Sequence, residues 1–138
     1  MDRSAVGQAG RVHYVVDGMN VIGSRPDGWW RDRPGARRRL VSGLATLAAT
    51  GYVVTVVFDG RPEPGETDAA REAGVTALFA PGGPNAADHA IERFLGSLEE
   101  PDSVTVVTSD AALADAVRRR GVAVEGAKTF LGRLAPRR

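Results

Sequence analysis

Two short runs of apolar, largely β-branched residues stop at the same dipeptide. Val12 to Val16 ends at Asp17-Gly18, and Tyr52 to Phe58 ends at Asp59-Gly60. Such runs lack the strict polar alternation of a strand with one wet face, so they read as strands buried on both faces. Val104 to Val107 repeats the theme and stops at Thr108-Ser109-Asp110, while Val75 to Phe79 and Val122 to Val124 add two more strands. Helical spacing fills the gaps. Pro34 opens a segment in which Leu40, Val41, Leu44, Leu47 and Ala48 share a face, closed by Gly51. Thr67 to Ala73 is a short helix ending at Gly74. Asn85 is placed to cap a helix whose stripe is Ile91, Phe94, Leu95 and Leu98, and Ala111 to Arg120 is a helix stopped by Gly121. Strands alternating with helices predict an α/β fold: one doubly wound, mainly parallel five-stranded sheet with helices on both faces.

The 138 residues match one domain in size, and no repeat or low-complexity linker divides them. Residues 1–138 are therefore expected to form one unit, with Met1 to Gly10 and Ala135 to Arg138 fraying. No stretch approaches the roughly 18 apolar residues of a membrane span, which predicts a cytoplasmic protein without a membrane partner. The absence of cysteine removes disulfides, thiolate metal sites and cysteine nucleophiles together. With only His13 and His89 as imidazoles, a metal would have to bind mainly through oxygen, the ligand type suited to magnesium and manganese.

Net charge is +1, but the charges are segregated. From Arg25 to Arg39 six arginines face two aspartates, giving +4; from Arg118 onward seven basic residues face Glu125 alone, giving +6. Between them, Asp59 to Asp115 holds twelve acids and three arginines, giving −9. Basic segments suit a polyanion and an acidic centre suits divalent cations. A nuclease needs both.

In an open α/β sheet, ligands bind beyond the carboxyl ends of the strands. That rule selects Asp17, Asp59 and Asp110, each following its strand, and Asp88, near the start of the helix after the third strand, reaches the same edge by topology. If the chain reverses direction after its third strand, the first and fourth strands become central neighbours. Asp17 and Asp110 then meet, with Asp88 facing them and Asp59 at the margin. Acids so gathered repel unless a cation compensates. Magnesium takes one or two carboxylates, leaves room for phosphate and water, and supports phosphodiester hydrolysis. Each acid taken singly reads equally well as structural: a strand-end aspartate before glycine is often a turn residue, Asp88 suits its helix dipole, and Asp110 suits a cap.

These residues resemble a known family. Asp17-Gly18-Met19-Asn20 is similar to the DGxN signature of NYN domains, and Thr108-Ser109-Asp110 to the TSD motif of PIN-like nucleases. Ala87-Asp88-His89-Ala90-Ile91-Glu92 resembles the acidic helix start of the bacterial NYN branch that includes ribosome-associated endoribonucleases. The resemblance runs from about Val12 to Leu134. It implies Asp17, Asp88 and Asp110 as metal-binding or catalytic acids, with Asn20 holding metal water or substrate phosphate; Mg2+ or Mn2+ as cofactor; and single-stranded RNA, extending to RNA on the ribosome, as partner. Asp59, Glu92 and Ser109 are secondary candidates. Many PIN domains carry another acid two residues past the TSD aspartate, where this chain has Ala112, and Asp115 lies too far round a helix to replace it.

The segment Arg25 to Arg39 also contains Trp29-Trp30. Arginines pair phosphates and aromatic rings stack on unpaired bases, so Trp29, Arg31, Arg37 and Arg38 are candidate RNA contacts. Equally, one tryptophan packs into the core and the arginines form a solvated face. Arg118, Arg119 and Arg120 suit a helix C-terminus without a ligand, and His89 reads as a surface neighbour of Asp88. Two other functions compete with a metal-dependent endoribonuclease: a non-catalytic RNA-binding or ribosome-associated module, and a phosphatase or nucleotide-binding protein. Asp17-Gly18-Met19-Asn20 follows the first strand in place of the glycine pattern of a dinucleotide site or P-loop, which weighs against the last.

Overall fold

The computed structural model describes residues 12–83, 85–99 and 103–134, so the fraying expected of 1–10 and 135–138 lies outside the described residues. Five strands, β1 (His13–Asp17), β2 (Val53–Asp59), β3 (Thr76–Ala80), β4 (Val104–Val107) and β5 (Ala123–Glu125), form one sheet in the order β3-β2-β1-β4-β5. Every pairing is parallel. The chain does reverse direction after its third strand, and β1 and β4 are neighbours at the centre, as the sequence predicts.

Among the described residues five α-helices connect the strands, α1 (Gly18–Gly23), α2 (Arg33–Ala49), α3 (Glu66–Glu72), α4 (Ala86–Gly96) and α5 (Ala111–Arg119), and α6 (Ala127–Leu134) follows the last strand. Strand side chains alternate between two cores. Tyr14, Val16, Val54, Val56 and Phe58 pack with Leu40 and Leu44 of α2 and Phe130 of α6, whereas Val15, Val57, Val104 and Val106 pack with Ile91 of α4 and Leu113 and Val117 of α5. Burial on both faces explains why these strands carry continuous apolar runs. Among the described residues no helix is long and apolar enough to cross a membrane.

Two helices depart from the sequence reading. The Gly-rich segment after Asp17 begins with the one-and-a-half-turn α1, and α6 follows β5 directly; both are too short for an apolar stripe to stand out. Asn85 precedes α4 in the left-handed conformation (φ 66°) and its side chain makes no cap. The backbone N–H of Ala87 is held instead by Asp59 Oδ1, at 3.1 Å, from the end of β2.

Candidate active site at the carboxyl edge of the sheet

Asp17 is the last residue of β1 and is only 5% exposed. Gly18 follows because α1 starts against β2: a Cβ at position 18 would collide with the Phe58 ring. The turn therefore brings backbone, and with it the Asp17 carboxyl, down onto the sheet edge. Just past β4, the buried Thr108 donates its hydroxyl to Asp17 Oδ2 at 2.8 Å, and Thr108 Oγ1 accepts the Asp110 N–H at 3.1 Å. Asp110 Oδ1 in turn accepts from Leu113 N at 2.9 Å and caps α5.

Each of these acids is held by one oxygen. Asp17 uses Oδ2, Asp59 uses Oδ1 on Ala87 and Asp110 uses Oδ1 on Leu113, leaving the second oxygen of each without a hydrogen-bond donor among the described residues. Burial, opposed by the Thr108 hydrogen bond and reinforced by the negative charges of Asp88, Asp59 and Asp110, pushes the Asp17 carboxyl up from 3.8 to about 6. The half-buried Asp88 is also raised, first by burial and then by the charges of Asp110 and Asp59. Four acids from four segments thus feel one another, with Asp17 deepest.

The remaining candidates sort by what they touch. Asn20 Oδ1 accepts the Ser109 N–H at 2.8 Å, tying α1 to the loop after β4, so its amide N–H groups are what it retains for a ligand. Ser109 Oγ accepts from Ala127 N at 2.8 Å and holds the start of α6. Glu92, on α4 with Asp88, lies 3.6 Å from Arg120 and is engaged by that cation. Asp115 pairs with Arg118 on the exposed face of α5 at 3.8 Å, and His89 is exposed beside Asp88. The structure brings Asp17, Asp59, Asp88, Asp110 and Asn20 together.

It does not bring Arg37 to a surface where RNA could reach it. Arg37 is 7% exposed and makes a double ion pair with Glu66, at 2.6 and 2.9 Å, while its guanidinium lies over the rings of Phe58 and Phe79. The expectation of a phosphate contact at Arg37 is corrected accordingly; its cation is consumed inside the fold. Arg31 and Arg38 are exposed. Trp29 is half-buried and packs against the core, leaving Trp30 as the exposed ring of the pair. Thr108 and Trp30 are the positions sequence reasoning passed over: the first lay inside a motif read only for its aspartate, and nothing in the doublet Trp29-Trp30 told which ring turns inward.

The donor set suits a hard divalent cation, being all oxygen, anionic and braced by backbone N–H groups and a hydroxyl. Among the described residues no three acids or histidines stand close enough to hold an ion directly. An ion here would take at most two of these carboxylates directly and keep water for its other positions, a mode common for magnesium.

A parallel sheet of order 3-2-1-4-5 with aspartates gathered at the carboxyl edge of its central strands defines an α/β domain of the NYN type, an RNA-related nuclease fold. The chain belongs to the family of YacP-like NYN domains, whose profile matches residues 14–137. The structure is similar to that of Rae1 (YacP) from Bacillus subtilis, with TM-score 0.69 and 25% identity over 88% of this chain and 72% of that one. A tryptophan-to-leucine mutant of the same Bacillus subtilis protein gives TM-score 0.71 and 25% identity over 89% of this chain and 74% of that one. No curated protein matches the chain.

Proposed function

We infer that this protein is a divalent-metal-dependent ribonuclease that hydrolyses internal phosphodiester bonds of single-stranded RNA. The observation that carries this reading is the gathering of Asp59, Asp88 and Asp110 around a buried Asp17 whose carboxyl is raised to about 6. Carboxyls raised first by burial and then by one another's negative charge, with no ion-paired cation among the described residues, mark a cation site. Asp17, Asp88 and Asp110 are the residues that would hold Mg2+ or Mn2+, at most two of them directly and the rest through the ion's water, with Asp59 at the margin. Such an ion, when bound, neutralises phosphate charge and acidifies water.

The chain's own residues do the rest. Thr108 holds Asp17 by one oxygen and so fixes the direction of the other. Asp110 is immobilised through the first turn of α5, so neither carboxylate must be ordered when substrate arrives. The Asn20 amide, anchored through its carbonyl, offers N–H donors to a phosphate oxygen. Family membership supports RNA as the partner, and ribosome-bound RNA in the cytoplasm is the substrate pool this reading extends to.

A second reading, an RNA-binding module without turnover, is favoured by Ala112 and by the lack of a three-acid ligand group among the described residues. Incubation with RNA labelled at either end separates the two. The nuclease yields internal fragments from both labels with magnesium or manganese and none after chelation. The binding module retains RNA and leaves it whole under all of these conditions.

A further inference from the structure

Among the described residues the exposed large apolar side chains are Val53 and Trp30, and Trp30, at 54%, is the only aromatic of the two. The structure presents this ring on a rigid turn. Gly28 is left-handed (φ 77°), Arg31 N–H bonds to Gly28 O at 3.0 Å, and Asp32 N–H bonds to Trp29 O at 3.2 Å. Asp32 then caps α2 through Gly35 N, and Trp29 anchors the turn from below, packed on the core and edge-on to Trp30 at 5.9 Å. An indole held this way loses little freedom when something stacks on it.

The surroundings of the ring are cationic. Among the described residues, Arg31 and Arg33 lack a carboxylate at ion-pair distance, as do Arg61, Arg93 and Arg119 elsewhere in the fold, so what sets these two apart is the aromatic ring beside each. Arg31 lies 5.6 Å from the Trp30 centroid and Arg33 lies 5.2 Å from that of Trp29. The turn also stands on the catalytic edge. Because β1 and β2 are parallel, α2 must carry the chain back to the amino edge, so its N-terminus and the turn before it lie at the carboxyl edge with Asp17. Gly23, at the far end of the short helix that begins beside Asp17, lies against the Trp29 ring.

We propose that Trp30 is a stacking platform for an unpaired base of the RNA, with Arg31 and Arg33 contacting the phosphates beside that base, so that the strand is positioned across Asp17 and single-stranded substrate is selected. The assignment rests on the RNA reading above. A flat aromatic face beside unpaired guanidinium groups recognises any base by its π-face and the backbone by its charge. A base within a duplex is already stacked on both faces and cannot use the ring.

The test measures affinity in the Asp17→Asn background with magnesium, where binding is read apart from cleavage, using a fluorescent single-stranded oligoribonucleotide and a duplex of the same sequence. Trp30→Ala weakens single-strand binding about tenfold or more, Trp30→Phe recovers most of it, and duplex binding changes little. Arg31→Gln lowers the slope of log affinity against log salt by about one, whereas Trp30→Ala leaves the slope in place. Parent-like single-strand affinity for Trp30→Ala, or an equal loss on duplex, overturns the proposal and leaves the ring to a protein partner. Cleavage is scored separately in the parent with Asp17 intact. A parent that cleaves RNA while Trp30→Ala binds normally removes the platform and keeps the nuclease; Trp30-dependent binding by a parent that never cleaves does the reverse.

Discussion

Thr108 donates its hydroxyl hydrogen to Asp17 Oδ2 at 2.8 Å and accepts the Asp110 N–H at 3.1 Å, so one buried side chain joins the acids at the ends of β1 and β4. This bond favours the charged form of Asp17 against the burial that disfavours it. Thr108→Val, of nearly the same shape, removes the donor and the acceptor together. Asp17 then titrates still higher, and metal affinity or activity falls about 10- to 100-fold, the usual effect of losing a partner that orients a metal-binding carboxylate. Thr108→Ser keeps most of both. Carbon NMR of the Asp17 carboxyl and metal titration of the cleavage rate check this; a Thr108→Val protein with parental values would show that the bond is incidental.

Without metal, the raised carboxyl of Asp17 makes folding weaker as pH rises. Between its ordinary value of 3.8 and about 6 the folded chain holds a proton that the unfolded chain has released, so stability is full below about 4 and declines as pH climbs through 6. The raised Asp88 acts in the same direction. Asp17→Asn removes the main part of this penalty, and in chelator it is more stable than the parent at pH 7 by roughly 1–3 kcal/mol, with the gap closing near pH 4. Urea unfolding at both pH values measures it. A gap that is absent at pH 7, or that grows on acidification, contradicts the electrostatic account.

Arg37 carries stability in place of RNA affinity. Its side chain and that of Glu66 are 8% and 9% exposed, and the pair fastens the second turn of α2 to the start of α3 across Phe58 and Phe79. Arg37→Ala leaves the Glu66 carboxylate uncompensated and destabilises by about 3 kcal/mol. Arg37→Lys rescues only in part, since an ammonium cannot reproduce the paired hydrogen bonds to the two carboxylate oxygens. Thermal unfolding reads both. An unchanged midpoint, with RNA affinity lost instead, would return Arg37 to the binding surface.

The sheet order and the gathering of Asp17, Asp88 and Asp110 were legible in the sequence because both follow from backbone rules. Continuous apolar strands must be covered on two faces, and residues just past parallel strands must share an edge. What resisted reading was set by side-chain contacts between distant segments. Whether Arg37 points outward depends on Glu66, which arrives 29 residues later, and whether Asn85 or Asp59 satisfies the start of α4 depends on how β2 ends. The doublet Trp29-Trp30 could not be split into anchor and exposed ring until the turn from Gly28 to Asp32 fixed their directions. α1 hid in a Gly-rich stretch for a related reason: its glycine at position 18 serves the close approach to Phe58, not flexibility.

Asp17 is the centre of the proposed hydrolytic site, and its role is read from single-turnover cleavage of end-labelled single-stranded RNA by Asp17→Asn, beside the parent and in the same magnesium buffer. The variant is expected to fold, to bind the RNA at least as tightly because a negative charge has been removed, and to cleave slower by on the order of a hundredfold or more. Cleavage by Asp17→Asn at the parental rate, with binding intact, would remove Asp17, and the acids around it, from the chemistry.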